Sequence, residues 1–303
     1  MKRKYMIIVL MAGALELTGC SQGTSNSAKN GTTGSENTII SESDIAILDT
    51  EDMFTERDRD TEYDESECTA ISLSDEETKC DSDGVKMDGQ TVTITEGGTY
   101  LLTGSLSNGS VVVDTDKTEK VQLILENVSI INEEGAGICV EQADKVFITL
   151  ADGSTNKIVS NSFTGNEDTN IDGAIFSRED LTLNGSGTLK ITSAAHGIVS
   201  KDDLVLTGGV YQIQSEKQGL SGKESVRIAD GTFTITSGTD AIHSEDTDED
   251  TKGFVYITGG VLTLAAGGDG ISSSYVVQAD GGSFDISTSS TETDTSTKGI
   301  KAQ

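Results

Sequence analysis

Carboxylates are the side chains in this sequence whose spacing could support chemistry. The stretch Ser244–Asp250 holds five carboxylates in seven residues, and Asp240 and Asp269 each precede a similar short apolar motif. Clustered carboxylate oxygens are the hard ligands that Ca²⁺ prefers. The pattern therefore predicts a Ca²⁺ site with these ligands: Asp240, Asp269, Asp246, Asp248 and Asp250. A solvated acidic loop with diffuse counterions is the alternative.

Two further side chains have the chemistry of sugar contacts. Arg227 lies between Val226 and Ile228, and Tyr256 lies in the same way between two apolar residues. Alternation of this kind places both side chains on the outer face of a strand. Because arginine can pair with a uronate carboxylate and tyrosine can stack on a pyranose ring, Arg227 and Tyr256 are predicted to bind carbohydrate. An ordinary exposed pair is the alternative.

Groups for covalent or acid–base catalysis are sparse. The two histidines, His196 and His243, belong to no Ser-His-Asp sequence motif, so no catalytic residue is predicted. A Ca²⁺-dependent polysaccharide lyase is the enzyme alternative. Such chemistry needs a basic residue near the sugar carbon that loses a proton. The candidate bases are Lys201, Lys223 and Arg227.

A repeat in the second half of the chain must position these residues. Similar short motifs begin at the following residues, 22 to 29 positions apart: Gly173, Gly197, Gly219, Ala241, Gly270 and Gly299. A period near 22 with alternating apolar residues inside it is typical of a β-solenoid, whose coils stack as parallel strands. Like positions of successive coils then form columns, so Asp240 and Asp269 are expected one coil apart. No strand is expected after Gly299.

The same alternation predicts the core. One interior column is expected to contain Tyr211, Phe233, Leu262 and Phe284. Looser β-rich runs extend the pattern towards the N-terminus, including Val121–Leu125 and Val146–Leu150, with an insertion at Asn161–Asp172. The stretch Ile39–Met87 has no repeat and is expected to cap the N-terminal end of the solenoid, which would otherwise expose strand edges. The predicted fold class is all-β, a parallel β-helix with a non-repetitive N-terminal cap.

Composition narrows the possible functions. The chain of 303 residues has 21 Lys+Arg against 51 Asp+Glu, a formal net charge of −30. Such a surface repels phosphate backbones, so nucleic-acid binding is excluded as a function class. The 34 glycines and the low hydrophobic content of 34% favour a thin β core over a helical bundle. The absence of Trp argues against a flat aromatic platform for crystalline cellulose.

The N-terminus has the pattern of a lipoprotein leader. A basic start is followed by an apolar run that ends in Leu17-Thr18-Gly19-Cys20, which is similar to a bacterial lipobox. Residues 1–19 are therefore predicted to be a signal peptide, and Cys20 is predicted to be lipidated. Residues 20–43 are read as a Ser/Thr/Gly/Asn tether and residues 44–303 as the β-helix. Among the other cysteines, Cys68 and Cys80 could bridge a short loop, and Cys139 is expected to be a buried thiol.

The repeats resemble the calcium-associated, carbohydrate-binding β-helix proteins of Firmicutes cell surfaces, which are similar in fold to pectate lyases. The matching stretches are Arg57–Asp64, Thr91–Gly104, Asp180–Leu189, His196–Asp203 and Gly267–Ile271. The resemblance covers roughly residues 54–301. It implies a right-handed parallel β-helix, bound Ca²⁺ and binding to plant or microbial polysaccharide. It also implies further coils and a C-terminal cap, which this chain would lack.

The expected protein is a lipid-anchored lipoprotein of the cell surface that binds polysaccharide without cleaving it. An acidic polymer such as polygalacturonate is the favoured partner, with Ca²⁺ bridging the two acidic surfaces, and a cellulose-like polymer is a second possibility. Contact with the membrane is expected through the lipid anchor alone. A surface adhesin that binds a protein partner is a further alternative.

Overall fold

The computed structural model describes residues 47–163, 170–289 and 296–302. These residues form a parallel β-solenoid with three sheets, named A, B and C. Sheet B contains β2 (Val85–Asp88), β3 (Thr91–Ile94), β5 (Ser110–Asp114), β8 (Ile138–Gln142), β11 (Gly173–Ser177), β14 (His196–Ser200), β17 (Leu220–Gly222), β20 (Ile242–Ser244), β23 (Ile271–Ser273) and β26 (Ile300–Ala302).

Sheets A and C share one long strand. Sheet A contains β1 (Thr69–Leu73), β4 (Gly98–Leu106), β6 (Lys120–Leu125), β9 (Lys145–Leu150), β12 (Asp180–Gly185), β15 (Asp203–Leu206), β18 (Ser225–Ile228), β21 (Phe254–Ile257) and β24 (Val277–Ala279). Sheet C continues from β4 through β7 (Ser129–Asn132), β10 (Thr155–Ser160), β13 (Thr188–Ser193), β16 (Val210–Ser215), β19 (Thr232–Ser237), β22 (Val261–Ala266) and β25 (Ser283–Thr288). Each coil runs through sheets B, A and C in that order, and there are about eight coils. The predicted all-β parallel solenoid is confirmed.

The core is built from stacked columns of apolar side chains. Tyr211, Phe233, Leu262 and Phe284 are in register on successive strands of sheet C. The first three are fully buried, and Phe284 is half-buried in the last coil of this sheet. The rings of Tyr211 and Phe233 stack with centroids 4.8 Å apart and planes 5° apart. The predicted core column is therefore confirmed.

Glycine is required where the chain turns from sheet A into sheet C. Gly260 has φ +90°, a conformation that L side chains rarely adopt. A Cβ atom at this position would also lie 2.9 Å from the carbonyl oxygen of Gly231, the equivalent corner of the preceding coil. The glycine pairs in the sequence therefore mark corners where coils approach closely.

The N-terminal end of the solenoid is covered by the later part of the predicted cap Ile39–Met87, whereas residues 47–60 of that stretch lie along sheet A. Strand β1 pairs in parallel with β4, and β2 forms an antiparallel ladder with β3. Cys68 and Cys80 lie in this region as free thiols, so the possible bridge between them is not formed. Cys139 is buried in sheet B, and burial raises the pKa of its thiol.

A segment that the repeat did not predict crosses the outer face of sheet A. Residues 47–60, here called the strap, run from the last coil back towards the first. The amide of Leu48 donates to Gln278 Oε1 on β24 at 3.1 Å. At the other end, Arg57 Nη2 donates to Gln122 Oε1 on β6 at 2.8 Å. One segment thus contacts coils that are far apart in the stack.

A short helix fixes the strap over the middle coils. Helix α1 (Glu56–Arg59) begins at a capping box, in which Thr55 and Asp58 exchange hydrogen bonds between side chain and backbone. Asp58 is 1% exposed, and its Oδ1 lies 2.8 Å from Lys145 Nζ and accepts from Thr182 Oγ1 at 2.7 Å. The strap is therefore fastened by a buried ion pair.

The C-terminal end of the chain differs from its prediction, and the predictions for residues 1–43 lie outside the described residues. At the C-terminal end, Ile300–Ala302 pairs in parallel with β23, so the expectation of no strand after Gly299 is wrong. Cys20, the signal peptide and the tether lie outside the described residues. Within the described part of the chain, no helix is long and apolar enough to cross a membrane.

Candidate functional site

The three sheets differ in what covers their outer faces. The strap covers much of sheet A, whereas strands β14, β17 and β20 of sheet B form the floor of a groove of about 310 Å³. Its polar lining comprises Asp172, His196, Ser200, Lys201, Gln218, Ser221, Lys223, His243 and Glu245. The groove therefore combines ammonium groups, imidazoles, hydroxyls and carboxylates on one surface.

Two lysines of the groove occupy equivalent places in successive coils. Lys201 follows Ser200, Lys223 follows Gly222, and Ser200 and Gly222 are in-register partners of β14 and β17. The lysine backbones are therefore one coil apart, about 4.8 Å. Arg178 occupies the equivalent position after β11, so three cationic residues follow one another along this edge of sheet B.

The lysines of the groove are paired with carboxylates on loops. Lys201 Nζ lies 3.5 Å from Asp172 Oδ1, and Lys223 Nζ lies 3.0 Å from Asp248 Oδ2. The hydrogen bond to Asp248 and the nearby charge of Asp246 raise the pKa of Lys223. Its ammonium group therefore stays charged at neutral pH.

The hydrogen bonds of His196 define its tautomer. The backbone amide of Gln218 donates to His196 Nδ1 at 3.2 Å, so the neutral ring carries its proton on Nε2. That nitrogen lies 3.5 Å from Asp172 Oδ2. Burial lowers the pKa of His196 to about 4. The charge of Asp172 opposes this shift, and the charges of Lys217 and Lys201 add to it. At neutral pH the imidazole is an uncharged hydrogen-bond donor.

His243 is held by a carboxylate from its own corner. Its Nδ1 lies 2.9 Å from Asp240 Oδ2, and its Nε2 lies 3.6 Å from Glu245 Oε2. Ser221 is the in-register neighbour of His243 on β17. Among the described residues, however, no hydrogen bond joins the Ser221 hydroxyl to this imidazole. The arrangement orients His243 as a polar contact and does not form an activated serine.

Asp240 and Asp269 occupy equivalent corners, as the repeat predicts, but backbone amides satisfy them. Asp240 Oδ1 accepts from the amide of Asp269 at 2.7 Å, and Asp269 Oδ1 accepts from the amide of Lys298 at 2.7 Å. Asp269 Oδ2 also lies 3.2 Å from Lys301 Nζ. Burial alone would raise the pKa of Asp240, but the hydrogen bonds from His243 and from the Asp269 amide lower it. Repulsion between the carboxylates is therefore offset without a metal.

The acidic loop is folded around its own amides and a lysine. Asp246 Oδ1 accepts from the amides of Asp248 and Glu249 at 2.7 and 3.1 Å, and Asp250 is exposed. Within the described ranges, no group of three or more His, Cys, Asp or Glu side chains could hold a metal ion. This arrangement does not fit Ca²⁺, which takes several oxygen ligands at once. Calcium at these residues stays a prediction from the sequence.

Arg227 and Tyr256 are in-register neighbours on the outer face of sheet A, as expected. The expectation that they face solvent is wrong, because the strap covers them. Arg227 Nη1 donates to the carbonyl oxygen of Met53 at 3.1 Å and also binds Asp203. Tyr256 is 5% exposed and stacks on Phe54 with ring centroids 5.9 Å apart. With the strap in place, neither side chain offers a surface to a polysaccharide.

The fold and groove define the class of the protein, a parallel β-solenoid with a polar groove along its coils. The chain belongs to the family described as carbohydrate-binding domain-containing protein, which matches residues 88–303. A carbohydrate-binding domain-containing protein of Acetivibrio thermocellus is 34% identical over 137 residues, which is 44% of this chain and 48% of the relative. The match thus spans about half of that relative's length.

A solved structure is similar over most of the described solenoid. It is the polysaccharide lyase-like protein from C. thermocellum, in a gadolinium derivative, with a TM-score of 0.70 and 33% sequence identity. The similarity covers 78% of this chain and 94% of that chain. The family and the shared fold support carbohydrate binding.

Proposed function

We propose that the protein binds an acidic, pectin-like polysaccharide in the groove of sheet B and does not cleave it. The observation that carries this proposal is the pair Lys201 and Lys223, one coil apart in a chain whose net charge is −30. A polymer with regularly repeated carboxylates could pair with both ammonium groups at once. An extended neutral polymer such as cellulose could accept hydrogen bonds from them but has no charge to pair with theirs.

The groove provides the contacts that such a polymer needs. Asp172 and Asp248, which pair with the two lysines, lie on connections between strands, and Asp248 is 72% exposed. A uronate carboxylate can therefore replace Asp248 on Lys223 without opening the core. Charge-assisted hydrogen bonds would then hold the carboxylates of the sugar chain. The hydroxyl of Ser221 remains for its hydroxyl groups.

The protonation states favour binding over cleavage. A general base must lose its proton near the working pH. The carboxylate of Asp248 raises the pKa of Lys223 in the free groove, and a bound uronate carboxylate that replaces it would have the same effect. Arg227, a further candidate base, lies under the strap. The lyase alternative is kept because a structural relative is described as polysaccharide lyase-like. Polygalacturonate incubated with the protein should give no ultraviolet absorbance from unsaturated uronate; product that disappears in Lys223→Gln would establish the lyase instead.

The variant Lys201→Gln/Lys223→Gln, which removes both groove charges, should bind short oligogalacturonates at least about tenfold more weakly than the unmodified protein. Charge-assisted hydrogen bonds contribute roughly 1.5–3 kcal/mol each, but solvent reduces this at a half-exposed groove. Isothermal titration calorimetry at two salt concentrations measures the effect, and the salt dependence should fall in the variant. Lys86→Gln/Lys117→Gln is the matched control, because it removes the same charge at exposed sites elsewhere. Equal affinities of the unmodified protein, the groove variant and the control would refute binding of the polysaccharide in the groove.

We further infer that the mature protein is anchored to the outer face of the cell membrane through lipid on Cys20. The lipobox-like sequence Leu17–Cys20 supports this location. Replacement of Cys20 by alanine should move the protein from the membrane fraction to the soluble or unprocessed fraction, because two acyl chains are needed for stable anchoring. Fractionation with metabolic labelling by a fatty acid measures it. A variant that remains labelled and membrane-bound would exclude this anchor.

A further inference from the structure

The outer face of sheet C carries a second arrangement of cations, outside the groove. Strands β10, β13, β16, β19, β22 and β25 pair in continuous register, so their outward side chains form straight columns. The eighteen outward positions of these strands hold two lysines and one carboxylate, Asp285 on the last strand. In a chain with 51 acidic residues, this is a surface almost free of negative charge.

The two lysines of this face lie on adjacent strands. Lys157 and Lys190 are in-register partners on β10 and β13, about 4.8 Å apart along the solenoid, and both are exposed. Among the residues that the structure describes, neither ammonium group has an ion-pair partner. Two ammonium groups carried on backbones one coil apart repel each other, and an anion that contacts both relieves the repulsion.

Polar side chains extend the lysine pair along the next coils. A shallow depression of about 370 Å³ follows the columns, and its side chains include Lys157, Lys190, Gln212, Gln214, Thr234 and Thr236. These six residues are here called the sheet C strip. All six side chains are exposed, and together they offer ammonium, amide and hydroxyl donors in a row with coil spacing. No carboxylate belongs to the strip.

We propose that the sheet C strip is a second binding site for the same class of ligand, a carboxylate-bearing polysaccharide. The proposal rests on the proposed function, since it assumes that the protein binds such polymers at all. Charge complementarity selects this occupant: the paired lysines attract an anionic chain, and the hydroxyls and amides of the following coils suit sugar hydroxyls. A second copy of the chain would bring a further net charge of −30 to the surface, which opposes self-association.

Two sites on different sheets would change what the protein does to its ligand. A protein with one groove coats a polysaccharide, whereas a protein with the groove and the strip can join two chains or hold one chain twice. The structure thus assigns a cross-linking capacity that depends on Lys157 and Lys190 and is separate from Lys201 and Lys223.

The test is calorimetry of the full chain with a short oligogalacturonate that can reach one site only. The unmodified protein should bind two oligomers, and Lys157→Gln/Lys190→Gln and Lys201→Gln/Lys223→Gln should each bind one. The control Lys86→Gln/Lys117→Gln should bind two. Long polygalacturonate should be cross-linked, as measured by turbidity or viscosity, by the unmodified protein and the control alone. All four side chains at Lys157, Lys190, Lys86 and Lys117 are exposed, so folding should be preserved in these variants.

The failures of the two proposals are distinguishable. If the unmodified protein binds no oligogalacturonate, the proposed function itself fails, and the strip fails with it. If the unmodified protein binds one oligomer and Lys157→Gln/Lys190→Gln binds one with the same affinity, the strip is refuted while the groove stands. Cross-linking that persists unchanged in Lys157→Gln/Lys190→Gln would also overturn the strip.

Discussion

Replacement of Phe233 by alanine is expected to lower the free energy of unfolding by about 3–5 kcal/mol. The side chain is fully buried, and its ring stacks on Tyr211 at 4.8 Å in the preceding coil. Leu262 lies in register in the following coil. Truncation removes apolar burial and leaves a cavity between two coils that cannot move together, because their backbones are hydrogen-bonded on both sides.

Chemical denaturation followed by far-ultraviolet circular dichroism measures this effect. Thr232→Ala is the control, since Thr232 also lies on β19 but is exposed and lies outside the sheet C strip, and its change should be at most about 1 kcal/mol. A Phe233→Ala protein with full stability but no polysaccharide binding would assign the residue to the ligand surface and not to the core.

The repeat predicted the solenoid well because stacking makes the same demand at every coil. Each coil must place an apolar residue in the same interior column and a turn at the same corner, so the pattern recurs in the sequence. Phe233 and Leu262 are one such pair, found by alternation alone. The stacking of Asp240 and Asp269 followed from the same rule.

Contacts outside the repeat could not be predicted in this way. The hydrogen bond between Leu48 and Gln278 joins residues 230 positions apart, and no periodicity links them. Arg227 and Tyr256 were therefore predicted to be exposed although the strap covers them. The sequence held one local signal for the strap, the capping-box spacing of Thr55 and Asp58, which indicates a helix start but not where it docks.

The environment of the stacked acids was also hidden in the sequence. The clustered carboxylates around Asp240 and Asp269 predict a cation site, because residue types alone do not show which backbone amides lie nearby. The structure shows that a corner amide of the next coil donates to each carboxylate. Every residue except proline has a backbone amide, so residue types cannot distinguish carboxylates bound by amides from carboxylates bound to a metal ion. The sequence does carry a signal for the groove lysines, because Lys201 and Lys223 are 22 residues apart, one repeat, at corners of sheet B.

The strap gives the solenoid a connection that nearest-neighbour stacking lacks. In a repeat fold each coil contacts mainly its neighbours, so end coils can open independently. The strap contacts β24 at Leu48, β18 at Met53 and β6 at Arg57. Loosening the middle of the strap should therefore weaken distant coils together.

Replacement of Asp58 by alanine should destabilise the protein by about 3–5 kcal/mol at neutral pH. The change leaves Lys145, which is 16% exposed, without the carboxylate that lies 2.8 Å away, and it removes the acceptor of Thr182. Loss of one partner of a buried ion pair is costly because the other charge stays desolvated. Asp60→Asn is the matched control, since the Asp60 side chain is 45% exposed and should contribute less than about 1 kcal/mol.

The same carboxylate should make stability depend on pH. Burial alone would raise the pKa of Asp58, but hydrogen bonds from Lys145, Thr182 and Thr55 and the charge of Lys145 lower it from 3.8 to about 2. The folded state thus binds this proton more weakly than the unfolded state. The resulting stabilisation of about 2 kcal/mol is fully present above the pKa of the unfolded state and is lost as the pH falls from about 4 to 2.

Since other carboxylates titrate in this range, the measured quantity is the difference in unfolding free energy between the unmodified protein and Asp58→Asn. That difference should shrink with acidification, whereas the difference for Asp60→Asn should stay small throughout. An Asp58→Asn difference that is absent at neutral pH, or that does not shrink in acid, would show that the ion pair does not hold the strap.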